Sequence, residues 1–378
     1  MKAYKYKNNI ALCLTEIFIW CMQIHFWFEA SEIGDIPLFA GLRTFCFFCA
    51  FACVIVKWIE DARIRITNLW VLAIAMGIMA VSTVVSGGLT VAKLLLFGLA
   101  LKGTNYVQNL KAFFRANVFI LVFIISAAIV GIIENQVGYD GQAKYYYLGF
   151  ENPNTAALLI YTVFIILVYF KFRHTTIKTV LFYSSVTFVV YKITNSRSAA
   201  IVMIIVCLLL VFNRYIFKIK LLFDNKAFRI LSYVLFPLFS ALSYATAYLY
   251  TRNDLVDRLN IAFSYRFALW HWYTELLSIN LLGAPSAYDQ LGTLDNSYLV
   301  MLYHYGILVW ILYWWIFHRI FQTIFEQKNV SMYIITVAYE VYFLTEGYPF
   351  FINANIALLF FLTYFWQKDV RRVKRGKS

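Results

Sequence analysis

Long apolar runs follow one another along most of the chain, and they constrain its fold more than any other feature. A helix that spans a bilayer needs about 20 predominantly apolar residues. Twelve such runs, bounded by polar clusters, cover 10–28, 37–56, 69–87, 89–101, 116–134, 155–170, 178–193, 198–213, 230–250, 298–317, 331–348 and 350–366. Because 62% of the residues are hydrophobic and only 14% are charged, the sequence predicts an all-α polytopic membrane protein. We expect about 12 transmembrane helices, within a range of 10–12, because 89–101 and 178–193 are short.

The distribution of charge predicts the orientation of these helices. If the N-terminus is cytoplasmic and every run crosses, 25 of the 33 basic residues but only five of the 19 acidic residues lie in cytoplasmic segments. The positive-inside rule requires this asymmetry, which favours an even number of spans with both termini in the cytoplasm. We therefore expect one transmembrane domain over 1–378, external loops at 135–154 and 251–297, and a basic cytoplasmic tail at 368–378.

Several classes of function lack their usual sequence signals. The net charge of +14 follows from topology, so it gives no reason to expect a nucleic-acid partner. The six cysteines all lie in apolar runs; Cys46, Cys49 and Cys53 share a helix face without a histidine or carboxylate, so we interpret them as packing residues and expect no metal. Elements of the HExxH, P-loop and GxGxxG types are absent from the sequence.

Eight basic residues depart from the charge rule, and five of these are arginines. Arginine suits bidentate binding of phosphate. Arg197 is the clearest case, because it lies between two apolar runs in the segment 194–198, near the predicted outer interface. Anion binding is one interpretation of Arg197, and snorkelling of a structural arginine to the lipid headgroups is the other. The full set is Arg43, Lys93, Lys144, Lys192, Arg197, Arg252, Arg258 and Arg266.

The longest segment outside the apolar runs, 251–297, contains a predicted helix over 254–279 with Asn253 or Asp254 as its cap. Arg258 and Arg266 would lie about 80° apart around that helix and could face one cavity. The alternative is an amphipathic surface helix with solvated arginines. Just before the next apolar run, Asp295 is a candidate for chemistry, although Asp295 or Asn296 as a plain helix N-cap explains the same pattern.

The shorter external loop, 135–154, combines aromatic residues with amides and carboxylates. Tyr145, Tyr146 and Tyr147 are followed by Gly149-Phe-Glu-Asn-Pro-Asn154. Aromatic rings stack on the C–H faces of sugars and amides bond to hydroxyls, so this loop favours carbohydrate binding through Asn152 and Asn154. Interfacial tyrosines and a turn that starts the helix at 155 are the alternative interpretation.

Taken in order, five motifs resemble the bacterial O-antigen ligase and Wzy-type polysaccharide polymerase family, and most closely its capsular and exopolysaccharide polymerases. They are Gly149–Asn154, Ser196–Ala199, Arg266–Trp270, Leu282-Gly283, and Asp295–Leu299 followed by Gly306. The ligase branch has a His-Asn pair where this chain has Asp295-Asn296, so the resemblance favours a polymerase. Members of that family join glycans carried on undecaprenyl diphosphate at the outer face of the bacterial plasma membrane.

The resemblance and the residues together imply a metal-independent glycosyltransferase without a cofactor. Arg197 and Arg266 would stabilise the departing diphosphate, and Asp295 would take the proton of the acceptor hydroxyl. Substrate-binding roles are expected for Arg258, Asn152, Asn154, Asn296 and Tyr298. The expected partners are undecaprenyl-diphosphate-linked oligosaccharide, membrane lipid, and a flippase and chain-length regulator of the same pathway. A glycan ligase, and a flippase or transporter of lipid-linked sugars, are the alternative functions.

Overall fold

The computed structural model describes residues 2–60, 73–74, 76–78, 80–81, 83–85, 89–141, 143–285 and 291–375. These residues are predominantly helical, with a single short β-hairpin among them. The helices are α1 (Lys2–Glu29), α2 (Pro37–Glu60), α3 (Thr90–Ala100), α4 (Tyr106–Val130), α5 (Pro153–Lys171), α6 (Ile177–Thr194), α7 (Arg197–Val211), α8 (Lys226–Leu249), α9 (Asp254–Ala262), α10 (Arg266–Leu276), α11 (Ser297–Val300), α12 (Gly306–Gln327), α13 (Val330–Phe343) and α14 (Ile356–Arg375). A π-helix, Met301–Tyr305, links α11 to α12.

Seven helices of the described chain are long and apolar enough to cross a bilayer, which confirms a helical membrane protein. They lie at 10–29, 37–59, 106–130, 153–174, 197–216, 226–249 and 297–327. Shorter apolar helices lie at 76–85, 90–100, 330–343 and 356–365. Nine of the 19 residues of the predicted run 69–87 lie outside the described residues, and the total of 12 spans stays a prediction.

The chain divides into two compact units, and the first comprises 1–65, 96–211 and 352–378. Within it, α1 and α2 run antiparallel, since Phe28 contacts Phe39 near one end and Thr15 accepts a bond from Lys57 near the other. Helix α4 runs parallel to α1, since Glu16 pairs with Arg115 and Phe28 packs on Phe123.

This parallel arrangement bears on the number of spans. Two parallel helices are separated by an odd number of crossings. Because α2 supplies one crossing, the predicted runs 69–87 and 89–101 either both cross or both do not. The alternation of sides from α4 onward is therefore the same for 10 spans as for 12.

The loop 135–154 contains structure that the hydropathy pattern did not predict. Strands β1 (Val137–Asp140) and β2 (Ala143–Tyr146) form an antiparallel hairpin that turns at Gly141, where φ is 62°. Gly138 lies opposite Tyr145, and the ring of Tyr145 occupies the space that a side chain at Gly138 would need. A backbone bridge joins Ser31 to Phe150, so this loop packs against the segment between α1 and α2 within the same unit.

The second unit comprises 66–95 and 212–351. Helices α8 and α12 run antiparallel, with Phe236 against Phe317 and Tyr233 against Phe325. A cluster of buried aromatic and aliphatic residues, including Phe267, Trp270 and Tyr273, packs α10 on α8. The 251–297 loop is thereby attached to one of the candidate membrane spans.

The predicted single helix over 254–279 is wrong in one respect. Asn253 does cap α9, accepting bonds from the backbone N–H groups of Leu255 and Val256. However, Ser264 and Tyr265 take left-handed φ values of 55° and 62°, which end one helix and start another. The expected angle of about 80° between Arg258 and Arg266 therefore does not apply, because the two arginines lie on different helices.

Candidate functional site

Residues 280–283 of the 251–297 loop are held to the start of α12 by a close approach of two glycines. Gly283 and Gly306 have φ values of 91° and 84°, and a Cβ atom on either would overlap backbone atoms of the other segment. The N–H groups of Ile307 and Leu308 donate to the carbonyls of Asn280 and Leu281, at 3.0 and 3.2 Å. These contacts explain why glycine is needed at both positions.

Asn296 is the N-cap of α11, and it also ties this helix to two other segments. Its Oδ1 accepts a bond from the N–H of Leu299 at 3.0 Å. Its Nδ2 donates to Ser243 Oγ at 2.9 Å and to the carbonyl of Leu344 at 3.1 Å. The capping interpretation thus holds for Asn296. Because its side chain is fully buried and bonded internally, we assign it a structural role in place of substrate binding.

Tyr298 is also part of the interior of the second unit. Its side chain is fully buried, and its hydroxyl donates to the carbonyl of Glu340 at 2.9 Å. Phe236 and Phe343 pack edge-on against its ring. The expected contact of Tyr298 with substrate is not favoured by this packing, and we remove it from the proposed site.

Arg266 lies between two carboxylates at the first position of α10. Its guanidinium is 3.2 Å from Glu346 Oε1 and 3.8 Å from Asp295 Oδ2, and it also donates to the carbonyl of Thr345. Only 14% of the Arg266 side chain and 5% of the Glu346 side chain are exposed. An arginine matched by two nearby carboxylates has little free positive charge to offer a third anion. Arg266 is therefore better suited to positioning Asp295 than to holding a diphosphate.

Asp295 is the more accessible carboxylate of this group, with 27% of its side chain exposed. Burial raises the pKa of Asp295 above its ordinary value, and the charge of Arg266 only partly opposes this change. The effect of burial thus outweighs the opposing charge of Arg266. A carboxylate with a raised pKa is a stronger base than a free aspartate.

Arg258 differs from Arg266 in having its charge available. It lies on α9 with an exposed side chain, and it makes no ion pair among the residues that the structure describes. Of the two candidate arginines in the second unit, Arg258 is the one that can offer a full positive charge to a diphosphate.

In the first unit, Arg197 begins α7 and pairs with Asp140 of the hairpin. The guanidinium lies 2.9 Å from Asp140 Oδ2, and about half of each side chain is exposed. Hydrogen bonds from Asn195 and from Arg197 lower the pKa of Asp140, which keeps it charged. Exposed ion pairs of this kind stabilise a protein only weakly, so another anion can replace Asp140 at low energetic cost.

Asn152 and Asn154 lie at the start of α5. Asn152 caps the helix, and its Oδ1 accepts a bond from the N–H of Asn154 at 2.8 Å. The helix-start interpretation is confirmed for this turn, with the first helical residue at Pro153. Contact of these asparagines with carbohydrate stays a prediction.

Glu346 is the residue of this cluster that sequence reasoning missed. It lies near the end of the apolar run 331–348, where a carboxylate needs a partner. An acidic residue within an apolar run was therefore the signal in the sequence that could have identified Glu346. Its partner, Arg266, lies 80 residues away in sequence, so no local pattern joins the two.

The fold and the charged cluster define a multi-pass helical membrane protein with a carboxylate–arginine–carboxylate group, formed by Arg266 and Asp295 of the 251–297 loop and by Glu346 after α13. Comparisons with protein-family models, with curated proteins and with solved structures found no match for this chain.

Proposed function

We propose that the protein is a polysaccharide polymerase, which joins oligosaccharide units carried on undecaprenyl diphosphate at the outer face of the bacterial plasma membrane. The observation that carries this proposal is the group formed by Arg266, Asp295 and Glu346. It offers one partly exposed carboxylate with a raised pKa, held in place by a neutralised arginine. The five motifs that resemble the Wzy-type polymerases support the same conclusion, and three of them meet in this loop.

In the proposed reaction, the hydroxyl of the acceptor sugar attacks the anomeric carbon of the donor. The new C–O bond forms as the bond from that carbon to the diphosphate oxygen breaks. Asp295 takes the hydroxyl proton, and undecaprenyl diphosphate leaves with the bonding electron pair. The energy comes from the diphosphate linkage, so no nucleotide takes part.

Separate arginines serve the leaving group in this proposal. Arg258, exposed and without an ion pair in the described chain, is our candidate ligand for the diphosphate in the second unit. Arg197 is our candidate in the first unit, because its exposed pair with Asp140 is exchangeable. Positive charge next to the leaving group stabilises the transition state more than the ground state, because negative charge develops on the leaving group as its bond breaks.

Contacts within the second unit support the proposed alternation of sides. The predicted external segment 251–297 contacts Glu346, near the outer end of the predicted run 331–348, through Arg266. The predicted cytoplasmic residues Asp224 and Lys328 form a pair at 2.8 Å in the same unit. Segments assigned to one side thus meet each other, and the charge asymmetry favours a cytoplasmic location for both termini.

The pH dependence of the rate tests the role of Arg266. The base must be deprotonated, so the rate should fall as pH drops through the raised pKa of Asp295, above the range of a free aspartate near about 3.9. Arg266→Gln removes the charge that lowers this pKa, so the acidic limb should move to higher pH. Arg266→Lys keeps the charge and should move the limb less. An acidic limb that stays in place in Arg266→Gln would mean that Arg266 does not act through Asp295.

A matched pair of variants tests Arg197 as a ligand for the diphosphate. Arg197→Ala should reduce polymer yield at least tenfold with normal protein abundance, and Arg197→Lys should reduce it because lysine lacks the planar fork. Asp140→Asn removes the ion pair but keeps the arginine, so it should leave the yield near the wild-type value. If Asp140→Asn lowers the yield as much as Arg197→Ala, the pair has a structural role and the assignment is wrong.

The proposed activity is tested with purified protein in liposomes that contain lipid-linked oligosaccharide units. A polymerase should give a ladder of products that differ by one unit, without nucleotide. Transfer of a preformed glycan to a different acceptor, with no ladder, would indicate a ligase. Movement of the substrate across the bilayer without any new glycosidic bond would indicate a flippase.

A further inference from the structure

A cleft in the first unit lies between α1 and α4, and none of its lining residues is among those proposed for polymerisation. Its volume is about 270 Å³. That is enough for a phosphate group with its glycerol, since a water molecule takes about 30 Å³ of liquid volume. The cleft is lined near the starts of the candidate spans 10–29 and 106–130, which places it at one interface of the membrane.

The two walls of the cleft differ in chemistry. The α4 wall is formed by Gln108, Lys111 and Arg115, which share one helix face through spacings of three and four. The first turn of α4, at Gln108, adds the partial positive charge of a helix N-terminus. This wall therefore presents two cations and an amide to whatever enters.

The α1 wall is mostly apolar, with Leu12 and Ile19 on either side of Glu16. Glu16 pairs with Arg115 at 2.5 Å, and both side chains are about half exposed. Among the described residues Lys111 has no ion pair, so its charge is available. Two cations and one carboxylate leave the cleft with a net charge of +1, which matches a singly charged anion.

From this arrangement we infer that the cleft binds the phosphodiester headgroup of an anionic membrane lipid. Lys111 and Gln108 contact the phosphate, while the partly exposed Leu12 contacts the start of an acyl chain. A phosphodiester carries one negative charge, and basic pockets between membrane helices are suited to such headgroups. A soluble phosphate would use the cationic wall but would leave the apolar wall exposed to water.

The test measures lipid binding to the full-length protein in detergent by native mass spectrometry. The probes are phosphatidylglycerol, phosphatidylcholine and soluble glycerol phosphate. Lys111→Gln should weaken phosphatidylglycerol binding about fivefold, and Lys111→Gln with Arg115→Gln about 25-fold. Lys171→Gln, an exposed lysine outside the cleft, is the control and should change binding less than twofold.

Each alternative result is decisive. Equal binding of phosphatidylcholine and phosphatidylglycerol, or equal weakening by Lys171→Gln, would overturn the site. Competition by glycerol phosphate at the same concentration as the lipid would overturn the choice of a lipid over a free phosphate. Lys111→Gln leaves the pair of Glu16 with Arg115 in place, so thermal unfolding of this variant should match the wild type.

Discussion

Replacing Asp295 by asparagine is expected to lower the rate of polymerisation about 10²–10⁴-fold, while binding of the lipid-linked donor survives. Asparagine has nearly the same size as aspartate but cannot take a proton. Loss of the N-cap does not complicate the experiment, because Asn296, and not Asp295, caps α11. Only the reaction step should therefore suffer.

The matched control for this variant is Asp254→Asn. Asp254 is an exposed carboxylate at the first position of α9, in the same 251–297 loop. Asparagine there should leave turnover within about twofold of the wild type. Turnover is measured with purified lipid-linked units, and donor binding is measured separately on the same samples. Near-normal turnover in Asp295→Asn would remove Asp295 from the mechanism.

Replacing Gly306 by alanine is expected to destabilise the second unit by about 3 kcal/mol or more. Gly306 has φ 84° and ψ 171°, a conformation that is essentially restricted to glycine. An added Cβ atom would also overlap the backbone of Leu282 and Gly283. Both effects act on the contact that holds residues 280–283 to the start of α12.

Gly292→Ala separates these two effects. Gly292 has a φ of 81°, but an added Cβ atom would meet no other atom within 4 Å. Gly292→Ala should lose only the free energy needed to hold a residue with a Cβ atom in a left-handed conformation, about 1–2 kcal/mol. Thermal unfolding in detergent, followed by size-exclusion chromatography, compares the two variants. Equal stability of Gly306→Ala and Gly292→Ala would show that the close approach of Gly283 and Gly306 is not essential.

The apolar runs predicted where helices lie more accurately than where they begin. Helix α4 starts at Tyr106, although its predicted run starts at 116. The first turns contain Gln108, Lys111 and Arg115, which face the cleft or the interface, so hydropathy does not detect them. The hairpin at 137–146 was not predicted, because its two strands of four residues each are too short to give a clear alternating pattern.

The candidate site was predictable in its residues but not in its contacts. Asp295 stands out in the sequence as a charge at the edge of an apolar run, and Arg266 as a basic residue that departs from the charge rule. Their common partner, Glu346, and the bonds of Asn296 to Ser243 and Leu344 depend on tertiary packing. Local patterns do not determine such long-range pairs. The break at Tyr265 is likewise stabilised by its surroundings, since a tyrosine with positive φ is rare.

The most direct test of the proposed function is the stoichiometry of the products. Wild-type protein in liposomes with lipid-linked oligosaccharide, and without nucleotide, should release one undecaprenyl diphosphate for each new glycosidic bond. Chromatography of the lipid fraction and of the glycan measures both quantities in one sample. Asp295→Asn should release neither product above background. Folded wild-type protein that forms no glycosidic bond from this substrate, or that forms bonds without releasing the lipid diphosphate, would contradict the proposal.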